Sequence, residues 1–151
     1  MHRLLARSWR LIRGPLQWRV LWLAHAKFMI GVTGIVRDQD HQVLLLRHRL
    51  WPEGKQWGLP TGYAKASEPF PDTVIREVRE ETGLTVTVGE LARLRSGYKL
   101  RVEVAYEALH TGGELKLGSL EILDAQWFPP DALPEGVLDA HLDLIRGKPA
   151  D

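Results

Sequence analysis

Cysteine is absent from the 151 residues. Disulfides, thiolate metal ligands and cysteine nucleophiles are therefore excluded together, and a reducing cytoplasm is the compartment to expect. No apolar run approaches the roughly 18 residues that a bilayer-spanning helix needs. Arg19 and Lys27 bracket the most hydrophobic early stretch, Val20 to Ala26. Arginines recurring through residues 3 to 13 also break up the apolar core that a secretory signal requires. Acidic residues are missing from residues 1 to 37, which hold Arg3, Arg7, Arg10, Arg13, Arg19, Lys27 and Arg37, a charge of +7. The other 13 basic side chains face all 19 acidic ones, so the body of the chain carries −6. An acidic body disfavours nucleic acid as a partner.

What is present fits one globular domain, with 44% hydrophobic and 26% charged residues. Residues 2 to 13 follow a helical rather than an alternating pattern, and Gly14-Pro15 ends it. Leu16 to Met29 forms a second apolar segment in which Trp18 and Trp22 share a helix face. Met29 to Val36, a turn at Asp38-Gln39-Asp40, and Gln42 to Arg47 predict a hairpin. Residues 50 to 68, rich in Gly, Pro and Trp, read as a functional loop. Residues 71 to 82 predict a helix packed through Val74, Ile75 and Val78 and stopped by Gly83. Strands are expected over residues 85–88, 91–95, 100–109 and 125–128. A closing helix over residues 137–145 would pack through Leu138, Leu142 and Ile145.

The chemistry is concentrated between Gly62 and Leu84. Glu77, Glu80 and Glu81 fall within an arc of about 100° on a helix turning 100° per residue. Three like charges there repel one another, close to a helix C-terminus that disfavours anions. A cation relieves both penalties, and an all-oxygen ligand set suits Mg²⁺ or Mn²⁺. A bare acidic face elsewhere would read as solvated surface. Here a Gly/Pro/Trp loop precedes it and a helix-stopping glycine follows.

The whole stretch resembles the Nudix box: Gly62, five residues, Glu68, seven residues, then Arg76-Glu77-Val78-Arg79-Glu80-Glu81-Thr82-Gly83-Leu84. With residue usage near 7%, seven identities and two apolar matches arise by chance on the order of 10⁻⁹ per starting position. The Gln56-Trp57-Gly58-Leu59-Pro60 lead-in and Trp127-Phe128 are similar to the family as well. Two departures stand out. Thr61-Gly62 replaces the common Gly-Gly, and Pro69 takes the place of a threonine-type helix cap.

The resemblance implies an α/β fold, an α/β/α sandwich with a mixed, partly barrel-like sheet, supplied by residues 28 to 151. Residues 1 to 27 would be a basic helical extension. It further implies a hydrolase that splits the diphosphate linkage of a nucleoside diphosphate derivative or nucleoside triphosphate. Glu77, Glu80 and Glu81 would hold one to three Mg²⁺ or Mn²⁺ ions, Arg76 would orient Glu77, Glu68 would support from the outer shell, and a backbone carbonyl near Gly62 would complete the site. The base would be Glu77 or Glu81, with Glu121 in a later loop as the outside candidate, although Glu121 reads equally as ordinary loop charge.

Substrate contacts are less determined. Trp51, Trp57, Tyr63 and Tyr98 could stack a base or serve as packing, and Arg47 and Arg49 could meet phosphate or be surface charge. The basic leader has several readings: docking on its own acidic domain, a homodimer contact, a seat on a membrane surface, a nucleic-acid contact or an organellar address. Rival functions are a non-catalytic nucleotide-binding module of the same fold and an adaptor driven by the leader. The intact box carboxylates argue against the first.

Overall fold

The computed structural model describes residues 14–147, with only the backbone of Tyr98. The helix expected before Gly14 lies outside the described residues. Helix α1 (Pro15–Ala24) comes first. Then follow β1 (Met29–Arg37), β2 (Val43–His48), β3 (Trp57–Gly58), β4 (Thr61–Tyr63), α2 (Phe70–Thr82), β5 (Thr85–Tyr98), β6 (Arg101–Gly112), β7 (Ile122–Phe128) and α3 (Asp139–Ile145).

The seven strands form one mixed sheet with β1 at its centre. It runs parallel to β6, from the Met29–Arg101 pair to Arg37–Leu109, and antiparallel to β4. β2 is antiparallel to both β3 and β7, and β5 and β6 make a long antiparallel hairpin. Strands buried on both faces read as continuous apolar runs, which accounts for Val43-Leu44-Leu45-Leu46. Leu44 and Leu46 enter a core shared with Val32, Val36, Val74 and Val78, while Val43 and Leu45 enter a second core with Ile35, Leu144 and Ile145. The sheet therefore lies between α2 and α3, the sandwich expected. Gly34 lets α2 approach, because a Cβ there would stand 2.6 Å from Val74 Cγ1.

Several boundaries differ from expectation for identifiable reasons. The loop of residues 50 to 68 contains β3 and β4, short strands whose pairing with β1 and β2 is a tertiary effect. The strands expected at 85–88 and 91–95 are one strand, β5, with register shifts between Val88 and Leu91. β7 starts at Ile122, and α3 buries His141 and Leu144 beside the expected Ile145, with Leu142 partly buried against the same core and Leu138 at the N-cap. Ile75 is exposed. With Val74 at 0° and Val78 at about 40°, Ile75 falls at about 100°, at the rim of the buried arc.

His48 and His141 are buried in the fold. His48 stacks on Trp51 at 3.8 Å between ring centroids. The Leu59 N–H donates to Nδ1 of His141 at 3.0 Å, so that nitrogen carries no proton. Burial pushes His48 from 6.5 down to about 4, and burial, aided by the charges of His48 and Arg101, does the same to His141. The unfolded chain thus binds more protons between about pH 4 and 6.5. Stability is full above that window and is lost as pH falls through it. The wild type should lose about 1–3 kcal/mol more than His48→Gln/His141→Gln between pH 7 and 4.5 in urea unfolding. Parallel profiles would show that these histidines do not set the acid sensitivity.

Candidate active site

Helix α2 begins without a side-chain cap, since Pro69 occupies the N-cap. Instead Glu68, just before it, is fully engaged. Its Oε1 accepts from Arg76 Nε at 2.7 Å. Its Oε2 accepts from Arg76 Nη2 at 3.0 Å, from the Lys65 N–H at 2.9 Å and from the Thr73 hydroxyl at 2.9 Å. The Arg76 hydrogen bonds first, and the Lys65 N–H next, hold the Glu68 carboxyl down at about 2. Glu68, expected to support the site from the outer shell, has both of its oxygens taken by these donors.

Arg76 is the hub of the site. Its Nη1 donates to Glu77 Oε1 at 2.5 Å and to Glu80 Oε2 at 3.4 Å, and its Nη2 donates to the Tyr63 carbonyl at 3.1 Å. Its own pKa is raised, chiefly by Glu68. The Glu77 side chain, 17% exposed, lies flat against β4, where a Cβ on Gly62 would overlap the carboxylate. That contact is the physical reason for glycine at the first position of the motif. Thr61, the departure beside it, donates to the Leu59 carbonyl and bonds Thr33.

Glu81 differs from its neighbours. On the wheel set by Val74 it falls at about 340°, inside the buried arc, whereas Glu80 lies at about 240°. Glu80 is accordingly exposed, whereas Glu81 is half-buried. Glu81 Oε2 is buried without a hydrogen-bond partner. Burial, then the charges of Glu77, Glu121 and Glu80, push the Glu81 carboxyl up to about 8.

The loop after β6 brings Glu121 into that list. The Lys116 N–H donates to the Thr82 carbonyl at 2.8 Å and the Gly118 N–H to the Glu81 carbonyl at 3.0 Å, satisfying the last carbonyls of α2. Arg49 then holds the loop, its N–H donating to the Glu121 carbonyl and its Nε to the Leu120 carbonyl. Among the described residues, no three Asp, Glu or His side chains converge as oriented to form a metal cage. Glu77 and Glu80 are instead turned toward Arg76. The donor chemistry nevertheless fits a hard divalent cation: oxygen only, with an orphaned Glu81 oxygen among like charges.

On the other face of the sheet, a cavity of about 310 Å³ is lined by Trp51, Arg93, Arg95, Arg101, Glu103 and His141, among others. Thr61 also lines it and adjoins Gly62, so the cavity and the carboxylate cluster meet at β4. Sequence reasoning missed its three arginines and His141. The signal was there in the alternation of Arg93 with Arg95 and of Arg101 with Glu103. Of the residues expected to meet substrate, Tyr63 is exposed beside Arg101, whose Nη1 donates to its hydroxyl at 3.3 Å. Arg47 is held by Gln56, and Arg49 braces the Glu121 loop. Trp57 packs edge-on against Phe128 at 5.4 Å within the α3 side of the core, the packing reading of the two left open for it. The Tyr98 side chain lies outside the described residues.

The family model of the NUDIX domain matches residues 27–146, and the chain belongs to the Nudix hydrolase family. It is similar to an ADP-ribose pyrophosphatase of Methanocaldococcus jannaschii, 29% identical over 124 residues, which span 78% of this chain and 70% of that one. It is also similar to the NAD-capped RNA hydrolase NudC of Vibrio vulnificus, 34% identical over 100 residues, and there it spans 66% of this chain and only 38% of the relative. In fold it resembles a NUDIX hydrolase from Nitrosomonas europaea, with a TM-score of 0.71 and 22% identity over 83% of this chain and 77% of that one.

The contact between Gly62 and Glu77 can be tested by a double-mutant cycle. Gly62→Ala should cost about 1–3 kcal/mol by overpacking. In a Glu77→Ala background the cost should shrink, since the atoms it overlaps are gone. Strict additivity in denaturant unfolding would remove this account of the glycine.

Proposed function

We propose that the protein is a divalent-metal-dependent pyrophosphohydrolase that splits the diphosphate linkage of a nucleoside diphosphate derivative or a nucleoside triphosphate. The observation that carries this reading is the half-buried Glu81 carboxylate, unpartnered at Oε2 and crowded by the charges of Glu77, Glu121 and Glu80. Such an arrangement is costly in a metal-free protein and is relieved by a cation.

Glu77, Glu80 and Glu81 would hold Mg²⁺ or Mn²⁺, with the backbone at Gly62 as a further donor. Bound there, the metal would neutralise the diphosphate and acidify water. The residues of the chain supply the rest. Arg76 and Glu68 fix Glu77, and Glu77, Glu81 or Glu121 accepts a proton from the attacking water. A new bond forms from the water oxygen to phosphorus while the bridging P–O bond breaks, and the leaving phosphate departs with the electron pair. Arg93, Arg95 and Arg101 suit the anionic part of the substrate, and Trp51 offers a face to its base. The name of the archaeal relative makes ADP-ribose the first substrate to assay. Nucleotides of this kind are cytoplasmic metabolites, so the cytoplasm is the proposed place of action.

Glu81→Gln should lower turnover by about 10²–10⁴-fold while raising the unfolding temperature of the chelator-treated protein at neutral pH, because the folded chain must bind a proton at Glu81 that the unfolded chain releases, a cost glutamine does not carry. Glu80→Gln should lower turnover with little change in stability. Near-normal hydrolysis in both variants would sink the metal assignment. Arg101→Ala should raise KM more than it lowers kcat. An equal loss in kcat with KM unchanged would remove the arginine cavity from substrate binding.

A further inference from the structure

Helix α1 buries none of its residues. Trp18 is 74% exposed, Leu23 72% and Trp22 65%. Apart from Gln17 and Arg19, its sequence is apolar around the whole circumference. A helix apolar all round is ordinarily covered by something, and the described residues of the folded domain do not bury this one. The exposed apolar surface continues past it. Phe28 and Met29 are exposed, and the Met29 N–H donates to the Leu100 carbonyl at 2.9 Å. This places the turn of the β5–β6 hairpin alongside, with exposed Leu94 and Leu100.

The charge around this surface has one sign. Residues 14 to 36 hold Arg19 and Lys27 without an acid, and Lys99 lies in the β5–β6 turn, whereas Arg93, Arg95 and Arg101 line the cavity and Arg37 pairs with Glu107. Lys27 rests over the Trp22 ring at 4.2 Å, an arrangement in which the cation and the indole are presented together.

Three occupants can be weighed on physical grounds. The acidic domain of the same chain leaves α1 uncovered. A second copy seated on the same face would bring two basic surfaces together, which like-charge repulsion disfavours. Nucleic acid would match the charge but offers nothing to the exposed leucines. An anionic bilayer satisfies both features, since the headgroups take the cations and the acyl boundary takes Trp, Leu, Phe and Met. At 10 residues, α1 is about 15 Å long against a hydrocarbon core of about 30 Å, so it would lie in the interface and not cross it.

We propose that α1, with Phe28, Met29 and the exposed leucines of the β5–β6 turn, is an interfacial anchor that seats the protein on a membrane surface rich in anionic lipid. Because this does not depend on hydrolysis, it stands or falls separately from the catalytic reading.

The test is flotation of the full chain with two kinds of vesicle, phosphatidylcholine alone and phosphatidylcholine with a third of phosphatidylglycerol, at low and high salt. The bound fraction should be about tenfold or more higher on the anionic vesicles and should fall with salt. It should also be lost in Trp18→Glu/Trp22→Glu/Leu23→Glu, whose circular dichroism and melting should match the wild type because these side chains bury nothing. Equal binding to both vesicles, no binding to either, or undiminished binding by the triple variant would overturn the anchor. A lipid-free dimer that the triple variant converts to monomer would overturn it in favour of a second copy. Binding to single-stranded RNA but not to vesicles would overturn it in favour of nucleic acid.

Discussion

One guanidinium organises the carboxylate cluster of this molecule. Arg76 reaches back to Glu68 with two nitrogens, sideways to Glu77 and Glu80 with the third, and across to the Tyr63 carbonyl. It thereby ties the first turns of α2, the loop that precedes them and the end of β4 into one unit. A planar fork with five fixed donors can do this, whereas an ammonium is a single point charge. Glu77 is then held between Arg76 and the bare backbone of Gly62. Three positions of the motif are thus linked by contact: the glycine makes room, the arginine aims and the glutamate is aimed.

The same helix explains why its three carboxylates are not equivalent. Their spacing puts them on one arc, but the arc overlaps the buried face set by Val74 and Val78, and Glu81 is the member nearest that face. Burial and three neighbouring negative charges keep it from releasing its proton easily, while Glu80 stays in solvent beside Arg76. A raised carboxyl among lowered and paired ones is the pattern by which a site separates acid, base and support.

Much of this was legible from residue types and spacing. The box, its helix, the stopping Gly83 and the hairpin from Met29 with its apolar second strand all follow from local rules. What was not legible depended on long-range placement. β3 and β4 are too short to show a period, and exist because β1 and β2 supply their partners. Trp57 read as a base-stacking candidate because it sits in the loop, yet its pairing with Leu46 and Arg47 through β3 turns it onto Phe128. His141 carried no motif at all. Its position on α3 brings its ring to the Leu59 N–H, a contact 82 residues away in sequence.

The β5–β6 hairpin has a double role that strand geometry makes unavoidable. Successive side chains point to opposite faces, so Arg93 and Arg95, and across from them Arg101 and Glu103, can line the cavity only if Leu94 is turned the other way. Leu94 is exposed for this reason. Box chemistry is common to any diphosphate, and so the arginines of this hairpin, not the carboxylates of α2, are where discrimination between substrates would be built. A surface that engages the outer side of the hairpin therefore touches the same strands that shape the cavity. Any partner seated there has a direct mechanical route to substrate binding and only an indirect one, through β1 and β4, to the carboxylates.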